Sequence, residues 1–92
     1  MQEPPLIDLM PEVFADVSQI GLGSGFIVWW SVEPELEELI DGYLVEINEE
    51  PEAFTRSKLF VDLNRRGRNC IELAAIGFDD SVIGRRSIGT CN

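Results

Sequence analysis

Ninety-two residues, 45% of them apolar, can build one small hydrophobic core and are too apolar for a disordered chain. A formal charge of −10, from 7 basic and 17 acidic side chains, opposes nucleic acid and anionic membrane as partners. With no histidine and only two cysteines, neither the usual zinc ligand sets nor a histidine-dependent acid–base relay can be assembled. No carboxylate spacing singles out a reacting pair, so the expectation is a non-enzymatic chain with no cofactor and no metal site. No apolar run approaches the roughly 20 residues that span a bilayer, so no membrane insertion is expected.

In chain order, residues 1–10 read as a linker, because Pro4, Pro5 and Pro11 suit the entry to a sheet and not its interior. Phe14 to Ile20 is the first strand, with Val17 and Ile20 as core contacts. Gly21, Gly23 and Gly25 mark a turn. Phe26 to Ser31 alternates, placing Phe26, Val28 and Trp30 on one face and Trp29 on the other. From Glu33 to Asp41, Leu36, Leu39 and Ile40 fall at helical spacing after Pro34. A loop with at most one helical turn fits best, because Asp41 and Gly42 then open the alternating strand Tyr43 to Ile47.

Asn48 to Glu52 reads as a solvated turn. Lys58 to Leu63 is the next strand, with Leu59, Val61 and Leu63 inward. A basic loop at Arg65, Arg66 and Arg68 leads to the strand Cys70 to Gly77. Phe78 to Gly84 turns the chain, and Arg85 to Cys91 is the last strand. The predicted core is Val28, Trp30, Tyr43, Val45, Val61, Ile71 and Leu73.

These phrases, in this order over residues 11–92, resemble a fibronectin type III domain. The resemblance rests on Trp30 in the second strand and on Ile40, Gly42, Tyr43, Val45 and Ile47 in the third. Leu63, Ile71, Leu73 and Ala75 extend it, with Gly84 and Ser87 in the last part. It implies an immunoglobulin-like β-sandwich of two antiparallel sheets with six to seven strands. Two departures stand out. The tyrosine such domains usually carry six residues after the leucine is Asn69, and only about twenty residues separate Tyr43 from Leu63. A strand C′ or D reduced to a turn is therefore expected.

The resemblance implies a non-catalytic protein–protein interaction module within a larger multidomain protein. The alternative is a structural spacer with no binding surface of its own. The expected partner is another protein or a neighbouring domain of the same chain, with the domain monomeric in isolation. Phe78, Val82 and Ile83, beside Asp79 and Asp80, make the turn after the sixth strand the candidate contact, since loops on a rigid sandwich often carry binding. The outward Trp29 is a second candidate anchor.

Charge is unevenly spread, with thirteen acids and no Lys or Arg in residues 1–52 and all seven bases in residues 53–92. Pairing of the two halves within the fold is the expected use, with Arg65, Arg66 and Arg68 set against Glu49, Glu50 and Glu52. For the cysteines, a hairpin flanked by Gly77 and Gly84 has an index sum of 161. That sum faces Cys70 with Cys91 and Leu73 with Ile88. Directly facing positions suit a disulfide poorly, so two reduced thiols and an intracellular setting are expected.

Overall fold

The computed structural model describes residues 12–89 and 91; the predicted linker over residues 1–10 lies outside them. In chain order the elements are β1 (Phe14–Gly21), β2 (Phe26–Val32), α1 (Pro34–Glu37), β3 (Ile40–Ile47), β4 (Glu50–Thr55), β5 (Leu59–Asp62), β6 (Cys70–Gly77) and β7 (Val82–Gly89). They form two antiparallel sheets, ordered β1-β2-β5 and β4-β3-β6-β7, packed as a β-sandwich.

Burial alternates strictly along β2 and through most of β3 and β6, which places the core. Val28, Val45, Ile71 and Leu73 are sealed from solvent, and Phe26, Trp30, Tyr43 and Ile47 lie beside them. Trp30 meets Tyr43 edge-on, with ring centroids 5.4 Å apart. The indole N–H of Trp30 is buried without an acceptor among the described residues.

Three expectations about packing are corrected. In β1 the register slips between Phe14 and Asp16, so Phe14 pairs with Val32 and Val17 with Trp30. That bulge turns both Phe14 and Val17 inward and carries Ile20 to the outer face, where it is exposed. In β5, Val28 pairs with Phe60, so Phe60 packs on the core while Leu59, Val61 and Leu63 are exposed. A four-residue edge strand covers the core only at its middle. There Phe60 approaches Phe26, with centroids 6.2 Å apart, while Lys58 and Asp62 reach ion-pair partners at either rim.

The third correction is the segment read as a turn. Asn48 and Glu49, both with positive φ (53° and 72°), make a two-residue hairpin turn, and β4 then pairs along β3 from Ile47 to Tyr43. Pro51 is tolerated because β4 is an edge strand. α1 is the single helical turn anticipated after Pro34.

The last hairpin is tighter than expected. Phe78 to Ser81 form its turn, and β6 pairs with β7 at Cys70–Gly89, Ile71–Ile88 and Leu73–Arg86. The index sum is therefore 70 + 89 = 159, two less than predicted, and Leu73 faces Arg86 instead of Ile88. Cys91 lies beyond the strand and is bonded to Cys70, with Cα atoms 4.7 Å apart. The expectation of free thiols is overturned because the two positions do not face each other in the ladder. Gly89, at φ +87°, turns the chain back toward Asn69, where a Cβ would lie 2.2 Å from the Asn69 carbonyl oxygen.

Candidate functional site

The turn between β6 and β7 is held from both sides. The Gly77 N–H donates to the Ser81 carbonyl at 2.8 Å, and the Asp80 N–H donates to the Gly77 carbonyl at 3.0 Å. The Asp79 carboxylate accepts the Ser81 hydroxyl at 2.6 Å and the Ser81 N–H at 3.1 Å. Those donors hold the Asp79 carboxyl below the usual carboxylate range. Asp80, with φ 67°, closes the turn. The result is a hydrogen-bonded turn that leaves Phe78 72% exposed, more than any other large apolar side chain among the described residues.

The predicted contact residues separate. Phe78, Asp79 and Asp80 sit in the turn, whereas Val82 and Ile83 belong to β7. Val82 is exposed, and Ile83 folds back against the core. Trp29 is exposed on the outer face of the other sheet, away from the turn. The sequence reading missed Leu39: Ile40 pairs with Gly77, so exposed Leu39 and Phe78 flank one cross-strand pair.

This end of the sandwich is acidic. Glu33, Glu35, Glu37, Glu38, Asp41, Asp79 and Asp80 stand against two cations, Arg56 and Lys58. Lys58 pairs with Glu37, and Arg56 pairs with Asp41 at 3.2 Å. Glu33, Glu35 and Glu38 form no ion pair among the described residues.

The opposite end is balanced. Arg65 bridges Asp62 at 2.9 Å and Glu52 at 2.7 Å, and that guanidinium with the Asn64 N–H holds the Asp62 carboxyl below its usual range. Asn69 accepts from the Asn48 side chain at 2.9 Å. Asn48 in turn accepts the Cys70 N–H at 3.0 Å. Beside this end, a cavity of about 230 Å³ is lined by Glu46, Glu49, Cys70, Glu72 and Arg85. Arg85 pairs with Glu72 at 2.6 Å there. No group of three or more His, Cys, Asp or Glu among the described residues is placed to hold a metal ion.

Models of known protein families and curated proteins yield no match to this chain. Among solved structures, it is similar to the M60 catalytic domain of Clostridium perfringens ZmpC in complex with the sialyl T antigen, with a TM-score of 0.68 and 15% identity. The likeness covers 79% of this chain and 15% of that one, so this chain spans a small part of that protein's length. At that identity the likeness is one of fold.

Proposed function

We propose that this chain is a fibronectin type III-like, non-catalytic interaction module of a longer protein, and that it binds another protein through its acidic end. The strand order β1-β2-β5 against β4-β3-β6-β7 and the buried Trp30 support the family reading. One observation carries the binding reading. Phe78 stands 72% exposed on a hydrogen-bonded turn, beside Leu39 and at an end where Glu33, Glu35 and Glu38 form no ion pair among the described residues. A complementary surface offers an apolar recess ringed by Lys or Arg. The Cys70–Cys91 bridge supports an oxidising compartment in place of the intracellular setting.

Nuclear magnetic resonance tests the proposal. The isotopically labelled domain is titrated with the neighbouring domains of its parent chain or with a protein that binds that parent. Shift changes are expected at Leu39 and from Gly77 to Val82, weakening with added salt and in Phe78→Ala. Shifts that ignore this end, with a partner that binds the intact parent, would favour the spacer.

A further inference from the structure

Six of the ten exposed large apolar side chains among the described residues fall on the outer face of the three-stranded sheet. They are Ile20 (51%), Leu22 (42%), Trp29 (42%), Leu59 (47%), Val61 (42%) and Leu63 (54%). The register sets them in rows. Ile20 pairs with Ile27, and Ile27 pairs with Val61. Ser18 pairs with Trp29, and Trp29 pairs with Leu59. Leu22 and Leu63 extend the same phase beyond the strand ends, joined through Gly25 and Ser24. The Leu22 N–H donates to the Gly25 carbonyl at 2.8 Å, and the Ser24 hydroxyl donates to the Leu63 carbonyl at 2.8 Å.

We infer that this face docks against the same face of a second copy of the chain. Two properties select that occupant. The first is charge: among the described residues the three rows themselves carry no ionisable side chain, and Asp16, opposite Ser31 beyond the Trp29 row, accepts the Ser18 hydroxyl at 3.4 Å. A partner drawn by electrostatics finds nothing to read here. Two copies of a chain of net charge −10 bring no carboxylates together at the centre of this contact. Repulsion between their remoter charges is screened over about 8 Å at physiological salt.

The second property is area. Six side chains of this size, each about half exposed, leave on the order of 500 Å² of apolar surface, at the upper end of the largest patch on an ordinary monomer. A standard interface buries about 800 Å² on each partner, about 65% of it apolar in homodimers, which is close to the same area. A flat, pleated, apolar sheet packs well on another such sheet at about 10 Å separation, and a self-complementary patch gives a closed two-fold pair. This surface is independent of the acidic end proposed above. It departs from the monomer expected from the sequence, and it exists because Leu59, Val61 and Leu63, expected inward, are exposed.

Sedimentation equilibrium of the 92-residue chain, from about 1 μM to about 500 μM in ~0.15 M salt, tests the inference. A reversible dimer is expected. Ile20→Lys and Val61→Lys should each weaken it at least about tenfold, with an unchanged circular dichroism spectrum in dilute solution. A monomer across the whole range overturns the inference, and so does a dimer undiminished in both variants.

If either variant fails to fold, concentration-dependent amide shifts of the unmodified chain decide. Changes confined to residues 18–22, 27–31 and 59–63 support the inference, whereas changes centred on Phe78 overturn it. A monomer whose Trp29 becomes newly accessible to a quencher after removal of residues 1–11 also overturns it, in favour of the chain's own N-terminal segment.

Discussion

The Arg86 guanidinium donates to the Phe14 carbonyl at 3.1 Å, tying β7 of one sheet to β1 of the other beside the buried Phe14 ring. The same nitrogen reaches the Glu12 carboxylate at 3.0 Å. Here the two sheets approach without a shared ladder. Gly84 permits the approach, since a Cβ there would lie 2.5 Å from a Val13 methyl carbon. Arg86→Ala should cost about 1–2 kcal/mol in urea denaturation, the value of a hydrogen bond to a charged donor whose partly buried acceptor is left behind. Glu12→Gln should cost under about 0.5 kcal/mol, because that carboxylate is largely in solvent.

Trp30 carries a cost alongside its packing, since its indole N–H is buried without an acceptor among the described residues. Trp30→Ala should lose about 3–5 kcal/mol and threaten the fold of so small a domain. Trp30→Phe should lose under about 2 kcal/mol, because it removes the unpaired donor along with part of the ring. Thermal melts of the two variants, side by side, check the difference.

Cys70 and Cys91 close a loop with a sequence separation of 21. Reduction, or Cys91→Ser, should lower stability by about 2–4 kcal/mol through the freer unfolded chain. The loss should centre on the β6–β7 hairpin, because the bridge ties the chain beyond β7 back to the start of β6. Denaturation with and without reductant, followed by hydrogen exchange at Ile88 and Gly89, measures both effects.

The pH dependence should have two limbs. Asp62 and Asp79 are held below the usual carboxylate range by the Arg65 and Ser81 side chains respectively, each with a backbone N–H besides. Their contribution is present above the unfolded carboxylate pKa and is lost as pH falls through the lower folded values. Acid destabilisation should therefore begin below about pH 4. Tyr43 is pushed up by burial and Lys58 by its hydrogen bond to Glu37. Their contribution is full below their unfolded values and fades as pH rises through the higher folded ones, so the alkaline limb should begin above about pH 10. No histidine titrates between the limbs. A pH series of melting temperatures should show a plateau across neutrality.

How far the sequence could be read depended on where the alternation was unopposed. In β2, β3 and β6 one face is apolar throughout, and Val28, Trp30, Tyr43, Val45, Ile71 and Leu73 are buried as expected. In β5 the pattern offered three aliphatic residues in one phase and Phe60 between two charges in the other. Counting apolar residues chose the first, but the ladder to β2 imposes the second. β4 was hidden by Pro51 and by Glu49, a residue type that gives little sign of a positive φ. The cysteines came together although their predicted register was wrong, because Gly89 redirects the chain after the ladder ends. Of the candidate contact residues, Phe78 was legible as exposed, whereas the inward turn of Ile83 depended on where the hairpin closes.

The phase of β5 decides which side chains form the core and which surface the domain presents. Equilibrium denaturation of Phe60→Ala beside Val61→Thr tests that phase most directly. Phe60→Ala should cost about 2–3 kcal/mol, and Val61→Thr should stay within about 0.5 kcal/mol of the parent chain. A near-neutral Phe60→Ala together with a loss above about 1.5 kcal/mol in Val61→Thr would contradict it. That result would place Leu59 and Val61 inside the sandwich and remove the apolar outer face.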